Sequence, residues 1–210
     1  MPGGGVNLGD MMGSPAAGAV LVADGFPLLT ATWEQPVDPP VFTNGLLGWS
    51  YDPAAAAGTQ ILTAARIYVS KIPLPNTITV TDILYAITTA GTTITHSYAG
   101  LYSSAGTVLG QSADQSTAWA ATTGNYTTAL VTPVVCTPLQ ANDFLWAALY
   151  EGTASTAVTF ADSAAPNINI NTTAATSRGA YIALSNTATL TSFTPSSLTA
   201  TAFQIWMGIK

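Results

Sequence analysis

The segment ILTAARIYVSKI, from Ile61 to Ile72, decides the class of fold. Its middle alternates Ala65, Ile67 and Val69 with Arg66, Tyr68 and Ser70. Successive side chains of a strand point to opposite faces, so this period of two indicates a half-buried antiparallel strand. The next segment, TITVTDILYAIT from Thr77 to Thr88, keeps the period and uses β-branched residues, which suit a pleated surface.

Short strands separated by Gly and Pro turns fill the rest of the chain after about residue 60. No run carries apolar residues at helical spacing, and only PAAAAG, from Pro53 to Gly58, predicts a single helical turn. About eight or nine strands at this spacing predict an all-β fold, an antiparallel β-sandwich of jelly-roll type. Further strands are predicted at 97–103, 107–111, 129–137, 144–150, 157–161, 180–184 and 202–209.

The first 58 residues differ in kind from the remainder. They are rich in Gly and Pro, yet they contain many large apolar side chains, which disordered segments normally lack. The sequence therefore predicts two parts: an extended docking arm over residues 1–58 and the sandwich over residues 59–210. The predicted anchors of the arm on a neighbouring protein are Phe26, Trp33, Phe42, Trp49 and Tyr51.

The composition limits the partners that the protein can have. Only 7% of the 210 residues are charged, so the surface must consist mainly of uncharged polar residues. The formal net charge is −6 and the four basic residues are scattered, which disfavours nucleic acid and anionic membranes as partners. The N-terminus has no positive region followed by a long apolar stretch, so we expect synthesis in a cytosol without a signal peptide.

Groups that could perform chemistry are scarce, and we predict no catalytic residue, no cofactor and no metal site. His96 is the only histidine, and its local sequence contains no carboxylate to orient it. Glu34 and Glu151 are the only glutamates; Glu151 precedes a Gly turn, where we expect it to be solvated. A glycosidase-like pair would need an acidic residue about 5–10 Å from Glu151. The remaining candidates, Asp114, Asp143 and Asp162 for calcium and Cys136 as a thiol, are isolated in the sequence, and we expect Cys136 to be buried and inert.

Aromatic residues raise the alternative of glycan binding. Trp146 and Trp206 lie in apolar segments, and we assign both to the core. Trp119 lies between two predicted strands in QSTAWAATTGNY, among small polar residues, with Tyr126 nearby. Trp119 and Tyr126 are therefore the candidate glycan platform, and the alternative for Trp119 is a plug over one end of the sandwich.

Three stretches of the sequence resemble a known kind of protein, and they occur in the order in which that family has them. They are RIYVSKIPLPNTITVTDILYAITTAG (66–91), YAGLYSSAGTVLGQSADQSTAW (98–119) and TPLQANDFLWAALYEGT (137–153). The second resembles a hairpin of small β-structured virion proteins, minor tail or decoration-type proteins of tailed phages that infect actinobacteria. The resemblance covers about residues 60–160 and does not extend to the arm.

The resemblance implies a jelly-roll-like domain displayed on a phage particle, with no catalytic residues to transfer. It leads us to expect a non-enzymatic virion protein of the tail, involved in host attachment, whose partners are other virion proteins and further copies of itself. Projecting virion modules commonly use cyclic symmetry, so a trimer is the expected oligomer. The alternatives are a capsid decoration protein, a carbohydrate-binding adhesion module that contacts host cell-wall glycan, and a β-sandwich hydrolase that uses Glu151.

Overall fold

A computed structural model of the protein describes residues 20–24, 30–34, 45–140, 143–163, 177–184 and 188–210. Contacts divide the chain into two compact units, Met1–Pro40 and Val41–Lys210. In the first unit, β1 (Val20–Asp24) pairs antiparallel with β2 (Thr30–Glu34). The predicted arm thus contains a hairpin, and the units divide about 18 residues earlier than the boundary predicted at residue 58.

Strands make up nearly all of the regular secondary structure among the described residues of the second unit. It has one short helix, α1 (Ser116–Ala121), and two single turns of 3-10 helix, Pro53–Ala55 and Pro195–Ser197, among its described residues. Its strands are β3 (Gly48–Trp49), β4 (Gly58–Ile61), β5 (Arg66–Pro73), β6 (Ile78–Thr89), β7 (Ser97–Tyr102), β8 (Val108–Gln111), β9 (Gly124–Cys136), β10 (Phe144–Glu151), β11 (Thr159–Asp162), β12 (Gly179–Ala183), β13 (Thr199–Ala200) and β14 (Met207–Ile209).

These strands form two antiparallel sheets of six strands each. The front sheet has the order β13-β12-β5-β10-β7-β8. In the back sheet, β6 is central. β9 pairs along one edge of β6, and β14 and β11 pair with its other edge. β3 then pairs with β14, and β4 pairs with β11. The prediction of an all-β antiparallel sandwich is confirmed, and its jelly-roll type stays a prediction.

The main core lies between the sheets and follows the period of two. On β10, Leu145, Ala147 and Leu149 point into this core, and they meet inward residues of β6 such as Ile83 and Ile87. A strand buried on one face alternates apolar and polar residues. β10 instead is apolar on both faces, which predicts that its outer face is covered as well.

A second apolar cluster provides that cover on the outer face of the front sheet. Trp146 and Tyr150 of β10 point into it, and Leu190, Phe193 and Leu198 of the covering segment (residues 190–198) close it. The Phe193 ring lies 4.9 Å from the Tyr102 ring, centroid to centroid. Trp146 is therefore a core residue, as its apolar context predicts.

Gly106, in the turn between β7 and β8, lies so close to the covering segment that there is no room for a side chain at this position. Its φ is +82°, and a Cβ there would lie 2.1 Å from the carbonyl oxygen of Phe193. We expect Gly106→Ala to lower the free energy of unfolding by about 2–4 kcal/mol, because the turn must strain and the covering segment must shift. Gly45→Ala is the matched control: its φ is +68°, and a Cβ there meets nothing within 4 Å.

Urea unfolding of the two variants separates backbone strain from the clash with Phe193. The control should lose only about 1 kcal/mol, the cost of a left-handed non-glycine residue. Equal losses in Gly106→Ala and Gly45→Ala would contradict tight packing of the covering segment against this turn.

The helix α1 departs from the prediction that nothing longer than one turn is helical. Its first turn is held by Asp114, whose carboxylate accepts a hydrogen bond from the Ser116 backbone N–H at 2.9 Å. The backbone N–H of Trp119 then donates to the carbonyl oxygen of Gln115 at 2.8 Å. Burial of Trp119, rather than a periodic sequence, stabilises this short helix.

Candidate functional site

Trp119 lies in the core, so its predicted role as an exposed glycan platform is corrected. Its side chain is 0% exposed, and its indole N–H donates to the Tyr85 hydroxyl at 2.8 Å. The rings of Tyr85 and Phe160 make T-shaped contacts with it, with centroid distances of 5.7 and 5.0 Å. Both the ring and the polar atom of Trp119 are therefore used inside the fold.

Tyr126, the other predicted platform residue, is half-buried beside α1. Its ring stacks on Tyr85 with an interplanar angle of 6° and a centroid distance of 5.7 Å. Its hydroxyl is 2.8 Å from the Thr122 carbonyl oxygen and 3.1 Å from that of Ala118, both acceptors. One ring face is thus covered and the hydroxyl is engaged, so the Tyr126 side chain ties the helix to β9.

The predicted arm anchors fall in different places. Phe26 and Phe42 lie outside the described residues, and Trp33 lies on β2 in the first unit. Trp49 and Tyr51 belong to the second unit, where Trp49 on β3 pairs with Gly208 of β14. Their docking onto another protein stays a prediction.

A cleft of about 510 Å³ opens on the outer face of the back sheet. Its floor is the paired segment of β6 and β9, where Leu84 lies opposite Thr127 and Ala86 opposite Asn125. These four residues point outward because their strand neighbours, Tyr85 and Tyr126, point inward. The complete lining is Leu46, Pro53, Ala56, Leu84, Tyr85, Ala86, Asn125, Tyr126, Thr127, Ala161 and Trp206.

Trp206 forms one wall of this cleft and is held in position from two sides. Its indole N–H donates to the carbonyl oxygen of Tyr51 at 3.1 Å, and its backbone N–H donates to the carbonyl oxygen of Ala161 at 3.0 Å. The side chain is half-buried, which differs from the core position predicted for it. Leu46, Pro53 and Ala56 also line the cleft.

Glu151 is fully buried, so the expectation that it is solvated is wrong. It ends β10 and points into the main core between the sheets, where its Oε2 accepts the Val158 backbone N–H at 2.8 Å. Among the residues that the structure describes, its Oε1 has no hydrogen-bond partner, and the hydroxyl of Ser97, its direct partner on β7, is also buried without one. Burial raises the pKa of Glu151 to about 7, although the Val158 N–H partly offsets the effect.

His96 has a carboxylate partner that its local sequence does not reveal. Its Nδ1 lies 3.0 Å from Oδ2 of Asp114, and both side chains are partly exposed. Burial raises the pKa of Asp114, but hydrogen bonds from His96 and from the backbone N–H groups of Ser116 and Ser97 outweigh it and lower the pKa overall. This carboxylate therefore anchors α1 and the start of β7 as well as His96.

Exposed large apolar side chains are concentrated at one edge of the sandwich. They are Val131 (71% exposed), Val135 (68%), Leu139 (84%) and Leu109 (36%), which together we name the apolar strip. β8 and β9 come together here, joined by the bridge between Ser112 and Leu130. Within residues 45–140, 143–163, 177–184 and 188–210, the only other exposed large apolar side chain is Ile61.

A shallow depression of about 200 Å³ lies within the apolar strip. Leu109, Val135, Leu139 and Phe144 line it together with Asp143. The Asp143 carboxylate accepts the backbone N–H groups of Leu139 and Phe144 at 2.8 and 2.9 Å. Burial raises its pKa, but these bonds and one from Ser104 outweigh it and lower the pKa, so Asp143 holds the turn that carries Leu139.

The groups considered for metal or thiol chemistry, Asp114, Asp143, Asp162 and Cys136, do not form a cluster of three metal ligands among the described residues. Cys136 is buried at the end of β9, as predicted, and burial raises the pKa of its thiol. Within the described ranges, no three His, Cys, Asp or Glu side chains are grouped as metal ligands. Nor does that part of the chain contain a helix long and apolar enough to cross a bilayer.

Comparison with known proteins does not add a family to these observations. No protein-family model matches the chain. A search of curated proteins also finds no match. The functional interpretation therefore depends on the residues and surfaces described above.

Proposed function

We propose that this protein is a non-enzymatic structural component of a phage virion, displayed on the tail and attached by its N-terminal part. The observation that carries the proposal is the apolar strip. A surface with few charges that collects its exposed Val and Leu at one edge is suited to stable contact with another protein. Each side chain covered there removes apolar area from water at roughly 25 cal/mol per Å².

The sequence resemblance supports a virion role and favours the tail. It covers β5 to β10, and the resembling hairpin consists of β7 and β8 followed by α1. β8 carries Leu109 of the strip, so the resembling module and the proposed contact surface overlap. The proposed arrangement is a cyclic homo-oligomer, a trimer, in which this edge contacts neighbouring virion proteins or copies.

The buried state of Glu151 also favours a structural role. A carboxyl group that is 0% exposed cannot reach a substrate in this conformation, whereas a general acid or base must come within hydrogen-bond distance of the reacting group. The hydrogen bond that its Oε2 accepts from the Val158 backbone N–H ties β10 to the segment before β11. We therefore propose that Glu151 stabilises one end of the sandwich.

The proposal is tested on particles of the phage that encodes the chain. Gold-labelled antibodies against residues 45–210 should bind the tails in electron micrographs, and mass spectrometry of purified particles should detect the protein. Label over the head would instead favour capsid decoration. Absence of the protein from washed particles would contradict a virion role altogether.

A pair of variants tests the apolar strip itself. We expect the double variant Val131→Asp, Val135→Asp to fold normally but to be lost from particles, because two carboxylates would have to be buried in the contact. Ile61→Asp is the matched control: Ile61 is 60% exposed and lies outside the strip, on β4. Normal incorporation of the double variant would contradict a contact through this edge.

A further inference from the structure

The geometry points to a second site: we infer that the cleft beside Trp206 binds a neutral saccharide. The inference deepens the proposed function, on which its role in host attachment rests. Binding itself can be measured on the isolated protein. The inference depends on three features of the cleft: its floor, its aromatic wall and the absence of charged side chains from its lining.

The floor of the cleft alternates apolar and hydrogen-bonding groups. Leu84 and Ala86 on β6 lie beside Thr127 and Asn125 on β9, in register. Asn125 and Thr127 are exposed, and no described residue hydrogen-bonds to the Asn125 amide or the Thr127 hydroxyl. A carboxamide offers two donors and one acceptor, and a hydroxyl offers both functions, which matches the mixed demands of sugar hydroxyls.

The aromatic wall is preorganised. The hydrogen bond from the Trp206 indole to Tyr51 and the backbone bond from Trp206 to Ala161 fix the ring before any ligand arrives. A fixed ring loses little conformational entropy on binding. The negative face of an indole attracts the slightly positive C–H groups on one face of a sugar ring, as it attracts aromatic edges.

The size and charge of the cleft select the class of ligand. Its volume of about 510 Å³ lies within the range typical of small-molecule sites, roughly 300–1,000 Å³. No charged side chain is among its lining residues, so no ion pair is available to hold a phosphate, a sulfate or a charged peptide. A neutral oligosaccharide, which stacks one ring on Trp206 and hydrogen-bonds to Asn125 and Thr127, fits this lining.

Binding is tested by nuclear magnetic resonance titration of the ¹⁵N-labelled full chain. The probes are soluble neutral oligosaccharides of glucose, N-acetylglucosamine, galactose, mannose and arabinose, each added up to millimolar concentration. We expect at least one to shift the Trp206 indole N–H and the Asn125 side-chain amide in a saturable manner. A proline-rich peptide is titrated in parallel, because such peptides also dock in aromatic grooves.

Variants then assign the binding to the cleft. We expect Trp206→Ala to weaken binding roughly tenfold or more and Trp206→Phe to weaken it less, because phenylalanine keeps a ring face. Thr127→Ala should weaken binding several-fold. Thr79→Ala is the matched control, since Thr79 is an exposed threonine of β6 outside the cleft. Thermal unfolding of each variant confirms that it is folded.

Three results would overturn the inference: no shift with any of the saccharides, equal binding by Trp206→Ala and the parent chain, or binding of the proline-rich peptide alone. None of them bears on whether the protein is present in virions. Conversely, absence from particles would remove the proposed role in attachment and leave a measured saccharide site intact. The two proposals therefore fail separately.

Discussion

Replacing Trp119 with alanine is expected to lower the free energy of unfolding by about 3–5 kcal/mol, the usual cost of removing a large aromatic side chain from a core. The cavity would open beside Tyr85 and Phe160, whose rings make T-shaped contacts with the indole. The Tyr85 hydroxyl would keep its 2.6 Å contact with the Thr128 hydroxyl but lose the indole N–H. Urea unfolding at pH 6 measures the loss.

Trp119→Phe separates the two contributions of this residue. Phenylalanine keeps an aromatic ring in the core but has no N–H to donate, so we expect a smaller loss of about 1–2 kcal/mol. Near-ultraviolet circular dichroism should also weaken in Trp119→Ala, because the ring cluster loses its fixed packing. A loss below about 1 kcal/mol in Trp119→Ala would contradict the buried position, since surface substitutions usually have such small effects.

Glu151→Gln is expected to stabilise the protein above pH 7. The folded pKa of about 7 exceeds the ordinary value of 4.5, so the folded state binds the proton more tightly than the unfolded state. The stability from this group is therefore fully present below about pH 4.5 and is lost as the pH rises to about 7. At pH 8 the variant should be more stable than the parent chain by about 2–3 kcal/mol.

Burial makes the ionisation of Glu151 unfavourable, and the basic side chains near it in the sheet, Arg66 and His96, have other partners. The cross-strand neighbours of Glu151 are Arg66 on β5 and Ser97 on β7. The Arg66 guanidinium lies over the Tyr181 ring, 4.2 Å from its centroid. His96 precedes Ser97 on the chain and pairs with Asp114. Glutamine keeps an oxygen for the Val158 N–H, so the variant removes the charge and little else.

The measurement is the free energy of unfolding from pH 4.5 to 8.5 for the parent chain and the variant. Asp114, Asp143 and Asp162 also have shifted pKa values, but they are common to both proteins, so the difference between the profiles isolates Glu151. Glu34→Gln makes the same chemical change at the other glutamate and controls for the loss of one negative charge. Parallel profiles for the parent chain and Glu151→Gln would contradict a protonated Glu151.

The sandwich could be predicted from local patterns because burial on one sheet face imposes a period of two on the sequence. The prediction at 77–88 corresponds closely to β6 (Ile78–Thr89), and the prediction at 97–103 to β7 (Ser97–Tyr102). Two-residue strands such as β3 and β13 were missed, since two residues cannot display a period. The helix α1 was missed because long-range burial of Trp119 stabilises it.

The candidate sites were harder to predict, because a side chain's exposure depends on residues far away in the chain. The predicted exposures of Trp119 and Trp206 are wrong in opposite directions. Trp119, which has polar neighbours in the sequence, is buried, whereas Trp206, which lies in an apolar run, lines a cleft. Likewise, the carboxylate partner of His96 is Asp114, which is 18 residues away in the sequence. The residues next to Trp119, Trp206 and His96 in the sequence therefore do not predict the burial or the partners of these side chains.

The sequence by itself determined the all-β class, the central strands, the nearly uncharged surface and the scarcity of reactive groups, because these follow from composition and from local periodicity. Only the tertiary structure decided that Glu151 is buried, that Trp206 walls a cleft over Asn125 and Thr127, and that the apolar strip gathers at one edge. Each of these depends on which strands become neighbours. That choice is made by contacts between residues far apart in the chain, which a local pattern does not encode.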